Sequence, residues 1–340
     1  MFSSYDIARF SDVVYSEAIS LQQFENLYIE NPIILVNDGN IIFYKQRKFN
    51  VRPYDVIFTH TGNLDNLFFL LKNLDKSFNL ILITHQSDTM ITKKLFDKKP
   101  ECINKWFALN ADYKNNSLIP LPLGIANEYS YEKNIVSKDL LHDTNEKNFY
   151  DKKVLVYVNF NENTNKEERS WIKPYFSKID WAEVDEDNLS IKQYADKIKN
   201  ASFVICPWGN GVDSHRIWET LFLGSIPIVK KHTTFNNLNG LPIFFVDDFK
   251  ELTEEKLKEF LVSLQTSESL NKEKLDVKYW ENIVNKEKNK ERLDVNLEKL
   301  IIENKLTTKY FKIKSFVKSW LKSKWKIIDF YRQKIISIFH

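Results

Sequence analysis

The segment that decides the fold is FVICPWGNGVDSHRIWETLFLGSIPIV, residues 203–229. Its pattern predicts a buried strand, a glycine-containing loop, a helix, a glycine at the helix end and a second buried strand. Three of the seven glycines in the chain, Gly209, Gly211 and Gly224, fall in this window. A strand that leads through a helix to another strand is the repeating unit of a parallel α/β sheet.

The loop and the start of the helix carry the chemistry of this segment. Gly209 and Gly211 allow the backbone to approach a ligand closely, and Asp213 or Ser214 is expected to cap the helix. Free N–H groups and the helix dipole meet at such a start, so the site suits an anion. Arg216 lies in the first turn, where its guanidinium can donate two hydrogen bonds to phosphate oxygens.

Glu219 follows Arg216 at i+3, and its carboxylate can accept hydrogen bonds from two ribose hydroxyls. An anion-binding loop, an arginine and a ribose acceptor together predict a nucleoside diphosphate site. The alternative is an ordinary turn followed by an Arg216–Glu219 surface pair.

Other nucleotide-binding motifs are absent, because residues 209–214 lack the last glycine of GxGxxG and no GxxxxGK[ST] occurs. The predicted ligands are Gly209, Asn210, Gly211, Asp213, Arg216 and Glu219.

Apolar runs and helical patterns alternate along most of the chain, which predicts two α/β units. The first unit has strands at 33–36, 55–59, 80–84, 106–109 and 118–121, with helices at 64–74 and 89–96. The second has strands at 154–158, 181–184, 202–206, 226–229 and 243–246, with helices at 165–176, 190–200, 213–223 and 253–264. Residues 130–153 lack periodicity and predict a link. We therefore predict Rossmann-like domains at 1–150 and 151–285 facing across a cleft, and C-terminal helices over 286–340.

The composition is that of a globular protein, with 43% hydrophobic and 28% charged residues. The two cysteines, Cys102 and Cys206, fall in different predicted domains and form neither a disulfide framework nor a zinc pattern. The first residues do not have the pattern of a signal peptide, and no apolar run is long enough to span a membrane. We therefore expect a cytoplasmic protein.

The residues around the glycine loop resemble a known family. Residues 207–213, the pattern Arg216-x-Trp218-Glu219 and residues 223–229 resemble the C-terminal signature of exostosin-like glycosyltransferases. Similar patterns occur in ribitol xylosyltransferase and in bacterial capsule or lipopolysaccharide transferases. The resemblance covers residues 202–246 and is weaker at 84–88 and 106–124.

This resemblance implies a GT-B fold, in which two Rossmann-like domains face each other and the second binds the nucleotide-sugar. It implies that Arg216 and Glu219 contact the donor, and that transfer inverts the anomeric carbon without a bound metal or cofactor. Retaining GT-B enzymes often carry a glutamate eight residues before the Glu219 position. Gly211 stands there in this chain, which favours inversion. The acceptor is expected to be a cell-surface glycan or glycolipid.

An inverting transferase needs a base that removes the proton of the acceptor hydroxyl. Four candidates follow predicted strand ends in the first domain: His60, Asp65, His85 and Asp88. We favour Asp88 or His85, because the strand before them is the most apolar of that domain. The alternative is that His85 is a structural loop residue and Asp88 caps the next helix.

The triplet Asp185-Glu186-Asp187 follows a predicted strand and supports a second interpretation. In a GT-A-like transferase such a DxD would bind Mn²⁺ and the donor diphosphate. We expect a solvated loop here instead, since the better donor site lies at residues 209–219. A catalytically inactive glycan-binding module is the non-enzymatic alternative.

The C-terminal tail differs in charge from the rest of the chain. Residues 305–340 contain ten Lys or Arg and one acidic residue, a net of +9, which leaves −6 for the remainder of a chain whose total is +3. This distribution argues against a nucleic-acid groove on the folded body.

Apolar residues at i+3 and i+4 steps predict a basic amphipathic helix over 309–340 that lies on an anionic membrane surface. The alternative is that this helix packs back on the domains. The apolar stripe comprises Ile313, Phe316, Val317, Trp320, Leu321, Trp325 and Ile328.

Overall fold

The structure, a computed structural model, describes residues 1–127, 152–185, 189–266, 272–289 and 300–303. Within these ranges the strands are β1 Val13–Ser20, β2 Ile33–Asn37, β3 Ile41–Lys45, β4 Lys48–Val51, β5 Val56–His60, β6 Leu80–His85, β7 Ile91–Thr92, β8 Ile103–Ala108, β9 Ala111–Asp112, β10 Leu118–Pro120, β11 Val154–Val158, β12 Ala182–Val184, β13 Ala201–Ile205, β14 Ile226–Lys230, β15 Phe244–Val246 and β16 Leu300–Glu303. The α-helices are α1 Ser4–Arg9, α2 Leu21–Glu25, α3 Leu64–Leu71, α4 Lys93–Phe96, α5 Lys166–Arg169, α6 Ile172–Phe176, α7 Ile191–Asn200, α8 His215–Phe222, α9 Glu254–Thr266 and α10 Val277–Asn289.

The first half of the chain, residues 1–127, forms a seven-stranded sheet in the order β10-β8-β6-β5-β1-β3-β2. Strands β10 to β1 are parallel, as predicted, whereas β3 and β2 continue the sheet in antiparallel pairing. The strand at 33–36 was expected to be buried, but Ile34 and Val36 are 43% and 47% exposed. The reason is that β2 lies at the edge of the sheet.

Strand β6 forms the centre of this sheet, and all six of its residues are buried. Its side chains alternate between two layers, because successive residues of a strand point to opposite faces. Ile81 and Ile83 pack in one apolar cluster and Leu80 and Leu82 in the other. Burial of each such side chain contributes about 1.5–3 kcal/mol, so the end of β6 is a rigid support for the residues that follow it.

The second half, from residue 152 onward, forms a five-stranded, fully parallel sheet in the order β12-β11-β13-β14-β15. The chain order reverses between β11 and β13, since β12 lies on one side of β11 and the later strands lie on the other. In parallel α/β sheets, ligands bind beyond the carboxyl ends of the strands at such a reversal. This arrangement confirms the predicted parallel α/β character and points to the loops after β11 and β13.

Three predicted elements differ from the structure. The predicted helix at 89–96 begins as strand β7, which pairs with β9. The predicted helix at 165–176 is divided into α5 and α6, because Pro174 has no N–H to continue the hydrogen bonding through this region. In the segment predicted to be helical from 286 onward, β16 pairs with β4 of the first half. The predicted tail helix at 309–340 and most of the predicted link lie outside the described residues.

The two halves are in direct contact. The ring of Phe2 lies 5.4 Å from that of Trp218 in α8, and both are fully buried in a cluster with members from both sheets. Near the end of α10, Lys288 Nζ lies 2.6 Å from a carboxylate oxygen of Asp12. The chain therefore returns to the first half after the second sheet. Within the described ranges, no helix has the length and apolar character needed to cross a membrane.

Candidate functional site

A cavity of about 510 Å³ lies at the carboxyl ends of β6, β11 and β13. Both halves of the chain line it, and the six predicted donor ligands and the two favoured candidate bases are among the lining residues. These are His85, Asp88, Gly209, Asn210, Gly211, Asp213, Arg216 and Glu219. The cavity is also lined by residues that the sequence analysis did not identify, which include Ser4, Asn127, Asn159, Asn161, Arg169 and Tyr194.

The glycine loop after β13 is enclosed by other groups on two sides. A Cβ on Gly209 would lie 3.1 Å from Nη2 of Arg169. A Cβ on Gly211 would lie 2.8 Å from Nδ2 of Asn110 and 3.1 Å from Oδ1 of Asp88, both in the first half of the chain. A side chain at position 211 would therefore force Asn110 or Asp88 to shift, and the candidate base Asp88 lies directly against the predicted donor loop.

Arg169 fixes the backbone of this loop by hydrogen bonds. Its guanidinium donates hydrogen bonds to the carbonyl oxygens of Trp208 at 2.8 Å, Pro207 at 3.2 Å and Asn161 at 2.7 Å, and also bonds the Thr164 hydroxyl. The loops after β11 and β13 are thus tied to one buried cation. Arg169 was not predicted from the sequence, since a basic residue in a short polar helix has no local pattern that distinguishes it.

Arg216 and Glu219 do not form an exposed pair. Nη1 of Arg216 donates to the Tyr194 hydroxyl at 2.6 Å, and that hydroxyl lies 3.2 Å from Oε2 of Glu219. Glu219 is 6% exposed and Tyr194 7%, and burial raises the pKa of the phenol well above its usual value. A protonated phenol can accept from the arginine and donate to the carboxylate, so Tyr194 holds both predicted ligand groups beside the cavity.

The start of α8 is not capped as predicted. Ser214 occupies the N-cap position without a side-chain cap hydrogen bond, and its hydroxyl oxygen is buried with no partner among the described residues. The carboxylate of Asp213 accepts instead from the Leu123 N–H at 2.8 Å and from Nε1 of Trp218 at 3.0 Å. Asp213 therefore joins the two halves, and burial raises its pKa to about 7. Ser214, His215 and Arg216, at the start of α8, line the cavity.

The two favoured candidate bases lie at the end of β6 in the first half: His85 is its last residue, and Asp88 follows it. Gln86 adopts a left-handed conformation, with φ 61°, and its side chain is held by the backbone N–H and carbonyl of Ala18. This turn directs Asp88 to the cavity, where it is exposed. His85 is fully buried, its Nε2 lies 3.0 Å from the Pro122 carbonyl oxygen, and burial lowers its pKa to about 4. His85 is therefore uncharged at neutral pH.

The other two candidate bases lie away from the cavity. Nδ1 of His60 accepts a 2.9 Å hydrogen bond from the Gly62 N–H. The side chain of Asp65 is 74% exposed at the start of α3. Neither residue lines the cavity, although both follow strand β5 as the sequence predicted.

The predicted acidic triplet lies only partly within the described residues. The carboxylate of Asp185 is 3.2 Å from Lys197 Nζ and 3.2 Å from the Tyr157 hydroxyl. Glu186 and Asp187 are outside the described ranges. Among the residues that are described, no three His, Cys, Asp or Glu side chains are grouped as a metal site would require.

Comparison with known proteins shows that part of the chain is similar to a known protein family. Residues 149–291 match the family model described as the RXYLT1 C-terminal domain. This segment contains the second sheet, the glycine loop and α8. The match confirms the resemblance to exostosin-like glycosyltransferases and supports a glycosyltransferase.

Two curated proteins are similar over a shorter part of the chain. Ribitol-5-phosphate xylosyltransferase 1 from Homo sapiens is 27% identical over 113 residues, which is 28% of this chain and 25% of that protein. The protein of the same name from Mus musculus is 30% identical over 96 residues, 24% of this chain and 22% of that protein. The chain thus spans about a quarter of the length of the curated relatives it matches.

Proposed function

We propose that this protein is a GT-B glycosyltransferase that binds a nucleotide-sugar in the cavity and transfers the sugar to a hydroxyl of a glycan acceptor. The observation that carries the proposal is that the predicted donor ligands, from the second half, and the candidate base Asp88, from the first half, line one cavity. In a GT-B enzyme the donor and the acceptor occupy opposite sides of such a cleft. The return of α10 to the first half also fits this architecture.

The second half supplies the donor site in this proposal. The diphosphate lies against residues 209–211 and the start of α8, where the backbone N–H groups and the helix dipole favour negative charge. Arg216 donates hydrogen bonds to the phosphate oxygens, and Glu219 accepts from the ribose hydroxyls. The buried hydroxyl of Ser214 at the same helix start has no partner among the described residues, and it is a further group that a ligand would satisfy.

The first half supplies the base. The acceptor oxygen attacks the anomeric carbon, the bond from that carbon to the diphosphate oxygen breaks, and the proton of the acceptor hydroxyl passes to Asp88. Arg216 and the start of α8 stabilise the negative charge that develops on the departing diphosphate. We favour Asp88 over His85 because Asp88 is exposed to the cavity, whereas His85 is fully buried. A single attack from the face opposite the leaving group inverts the anomeric carbon.

Several finer parts of the function rest on the sequence and the resemblance alone. We propose a cell-surface glycan of the capsule or lipopolysaccharide type as acceptor, and transfer without a metal ion. We also propose that the basic segment 309–340 holds the protein at the inner face of an anionic membrane, since its sequence predicts an amphipathic helix with lysines around an apolar stripe. Deletion of residues 309–340 tests this proposal, and we expect the truncated protein to be released from anionic vesicles.

Thermal unfolding with a panel of nucleotide-sugars tests the proposed function. UDP-, GDP- and CMP-sugars are added separately, because a ligand that binds the folded state raises the melting temperature by mass action. We expect one nucleotide class to stabilise the wild-type protein and to lose its effect in Glu219→Gln. Glu183→Gln, at a half-exposed carboxylate paired with Lys197, is the matched control. If no nucleotide-sugar changes the melting temperature, the proposal is wrong.

Hydrolysis of the stabilising donor separates an enzyme from an inactive glycan-binding module. A transferase with an intact donor site releases nucleoside diphosphate slowly even without acceptor. No release of diphosphate above the rate without protein, despite donor binding, would favour the inactive module.

A further inference from the structure

Three successive carbonyl groups at the start of the glycine loop accept hydrogen bonds from residues at the two ends of α5. Nε of Arg169 donates to the Trp208 carbonyl oxygen at 2.8 Å, and Nη2 donates to that of Pro207 at 3.2 Å. The next carbonyl oxygen, that of Gly209, accepts from Nδ2 of Asn165 at 2.9 Å. All three carbonyl groups are therefore directed toward α5.

The amide of Asn165 is fixed through both of its polar atoms. Its Oδ1 caps α5 by accepting from the Glu168 N–H at 3.2 Å, while its Nδ2 donates to Gly209. Asn165 does not line the cavity, whereas Gly209 and Asn210 do. An effect of the Asn165 side chain on a ligand in the cavity must therefore pass through the loop.

The direction of the Gly209 carbonyl group determines the direction of the next N–H. The peptide between Gly209 and Asn210 is trans and planar, so the Asn210 N–H points away from the side on which Asn165 lies. No described residue accepts a hydrogen bond from this N–H, and Asn210 is exposed. The Gly209 N–H, by contrast, donates within the loop to the Gly211 carbonyl oxygen at 3.0 Å. The Asn210 N–H is thus available to an anion.

Arg169 lines the cavity, but the protein itself uses most of its hydrogen-bond donors. Of the five N–H groups of an arginine, four donate here to three carbonyl oxygens and one hydroxyl of the loops after β11 and β13. At most one N–H is left for a ligand, so Arg169 cannot form the forked pair of hydrogen bonds that arginine makes with a phosphate. Arg216 differs, since its guanidinium donates to one described group, the Tyr194 hydroxyl.

We propose that Asn165 and Arg169 are positioning residues for a diphosphate. By holding the loop carbonyl groups toward α5, they direct the Asn210 N–H to the cavity, where it donates to a phosphate oxygen. Both residues act through the loop backbone and not as ligands of the phosphate. The inference rests on the proposed function, because it concerns the same donor site, and its ligand is a diphosphate that is either free or part of a nucleotide.

Ligand-observed NMR titrations of the full chain test this proposal. The probes are inorganic pyrophosphate, the diphosphates UDP and GDP, and the nucleosides uridine and guanosine. Asn165→Ser retains a good helix cap, but its shorter side chain has no amide to donate to Gly209. We expect it to weaken binding of pyrophosphate and of the nucleoside diphosphate about tenfold, the effect of one hydrogen bond to a charged group. Binding of the nucleoside should be unchanged.

Two further variants complete the test. Asn163→Ser is the matched control, because Asn163 is an exposed asparagine next to α5 that does not line the cavity. It should leave all affinities unchanged. Arg169→Lys keeps the positive charge but not the fork of N–H groups, and it should weaken pyrophosphate binding at least as much as Asn165→Ser. If Arg169→Lys does not fold, Asn165→Ser still decides the outcome.

Three results would overturn the proposal. The first is an unchanged affinity for pyrophosphate in Asn165→Ser, and the second is a wild-type affinity in Arg169→Lys, which would show that Arg169 acts through its charge. The third is an equal loss of nucleoside and diphosphate binding in Asn165→Ser, which would indicate a general disturbance of the site.

Failure of the proposed function has a different signature. In that case the wild type binds pyrophosphate but neither nucleoside nor nucleotide, and the two variants still lower the affinity for pyrophosphate. A wild type that binds neither pyrophosphate nor a nucleotide contradicts both the proposed function and the positioning role.

Discussion

The hydroxyl of Tyr194 accepts a 2.6 Å hydrogen bond from Nη1 of Arg216 across the interface of α7 and α8. The same hydroxyl lies 3.2 Å from the Glu219 carboxylate. One phenol therefore orients a cation and an anion that the sequence placed on neighbouring turns of α8.

Tyr194→Phe should weaken nucleoside diphosphate binding about tenfold, because a hydrogen bond to a charged group contributes about 1.5–3 kcal/mol and part of the orientation is kept by packing. Calorimetry with the stabilising nucleotide measures the change. Tyr44→Phe is the matched control, since the Tyr44 hydroxyl is equally buried and donates to Glu17 at 2.7 Å in the first sheet. Equal affinities in both variants would remove Tyr194 from the donor site.

Arg216→Ala should reduce transfer about 30- to 1000-fold, since loss of a charged group that stabilises the leaving diphosphate costs about 2–4 kcal/mol. Steady-state rates with saturating acceptor check this value. Arg216→Lys keeps the charge but not the forked geometry, and it should recover only part of the activity. Turnover near that of the wild type in Arg216→Ala would contradict the assignment of the phosphate site.

Gly211→Ala should lower both stability and activity. The new methyl would lie 2.8 Å from Asn110 Nδ2 and 3.1 Å from Asp88 Oδ1, so the two halves must separate or these side chains must move. Overpacking of this kind costs about 1–3 kcal/mol. Denaturant unfolding and initial rates on the same preparation measure the two effects. A variant with normal stability and normal turnover would show that the halves do not approach this closely in solution.

The stability of the wild-type protein should fall as pH rises from about 4 to 7, relative to Asp213→Asn. Burial raises the pKa of Asp213 to about 7, so in this window the folded state retains a proton that the unfolded state has lost. The contribution is at most about 1.4 kcal/mol per pH unit. The loss of unfolding free energy is complete near pH 7, and above that value the difference between the two proteins should become constant.

Urea unfolding of both proteins at several pH values checks this prediction. The difference between their unfolding free energies should drift from pH 4.5 to 7 and then level off. A constant difference across the whole range would mean that Asp213 remains ionised, with the N–H groups of Leu123 and Trp218 outweighing the effect of burial.

Transfer activity should survive EDTA, because Arg216 and the start of α8 already supply positive charge for the leaving diphosphate. Activity assays with EDTA and with added Mn²⁺ test this expectation. The GT-A-like alternative predicts loss with EDTA, recovery with Mn²⁺ and no recovery in Asp185→Ala. Glu183→Ala is the control, since Glu183 pairs with the same Lys197.

The sequence by itself determined the parallel α/β character, the position of the glycine loop and six of the residues between 209 and 219 that line the cavity. These features depend on local periodicity and on chemistry within one strand-loop-helix unit, which neighbouring residues specify. The sequence did not reveal the antiparallel strand β3 or the exposure of β2. Those depend on which strands become neighbours and which one ends the sheet.

Only the tertiary structure decided which of four similar candidates faces the donor loop, and that Asp213 joins the halves rather than capping α8. It also decided that Arg169 and Ser4 belong to the site. The relevant partners are far apart in sequence: Asn110 accepts from the Asp213 N–H at 3.0 Å although 103 residues separate them. Periodicity carries no information on such contacts, because they depend on how two separately patterned sheets pack against each other.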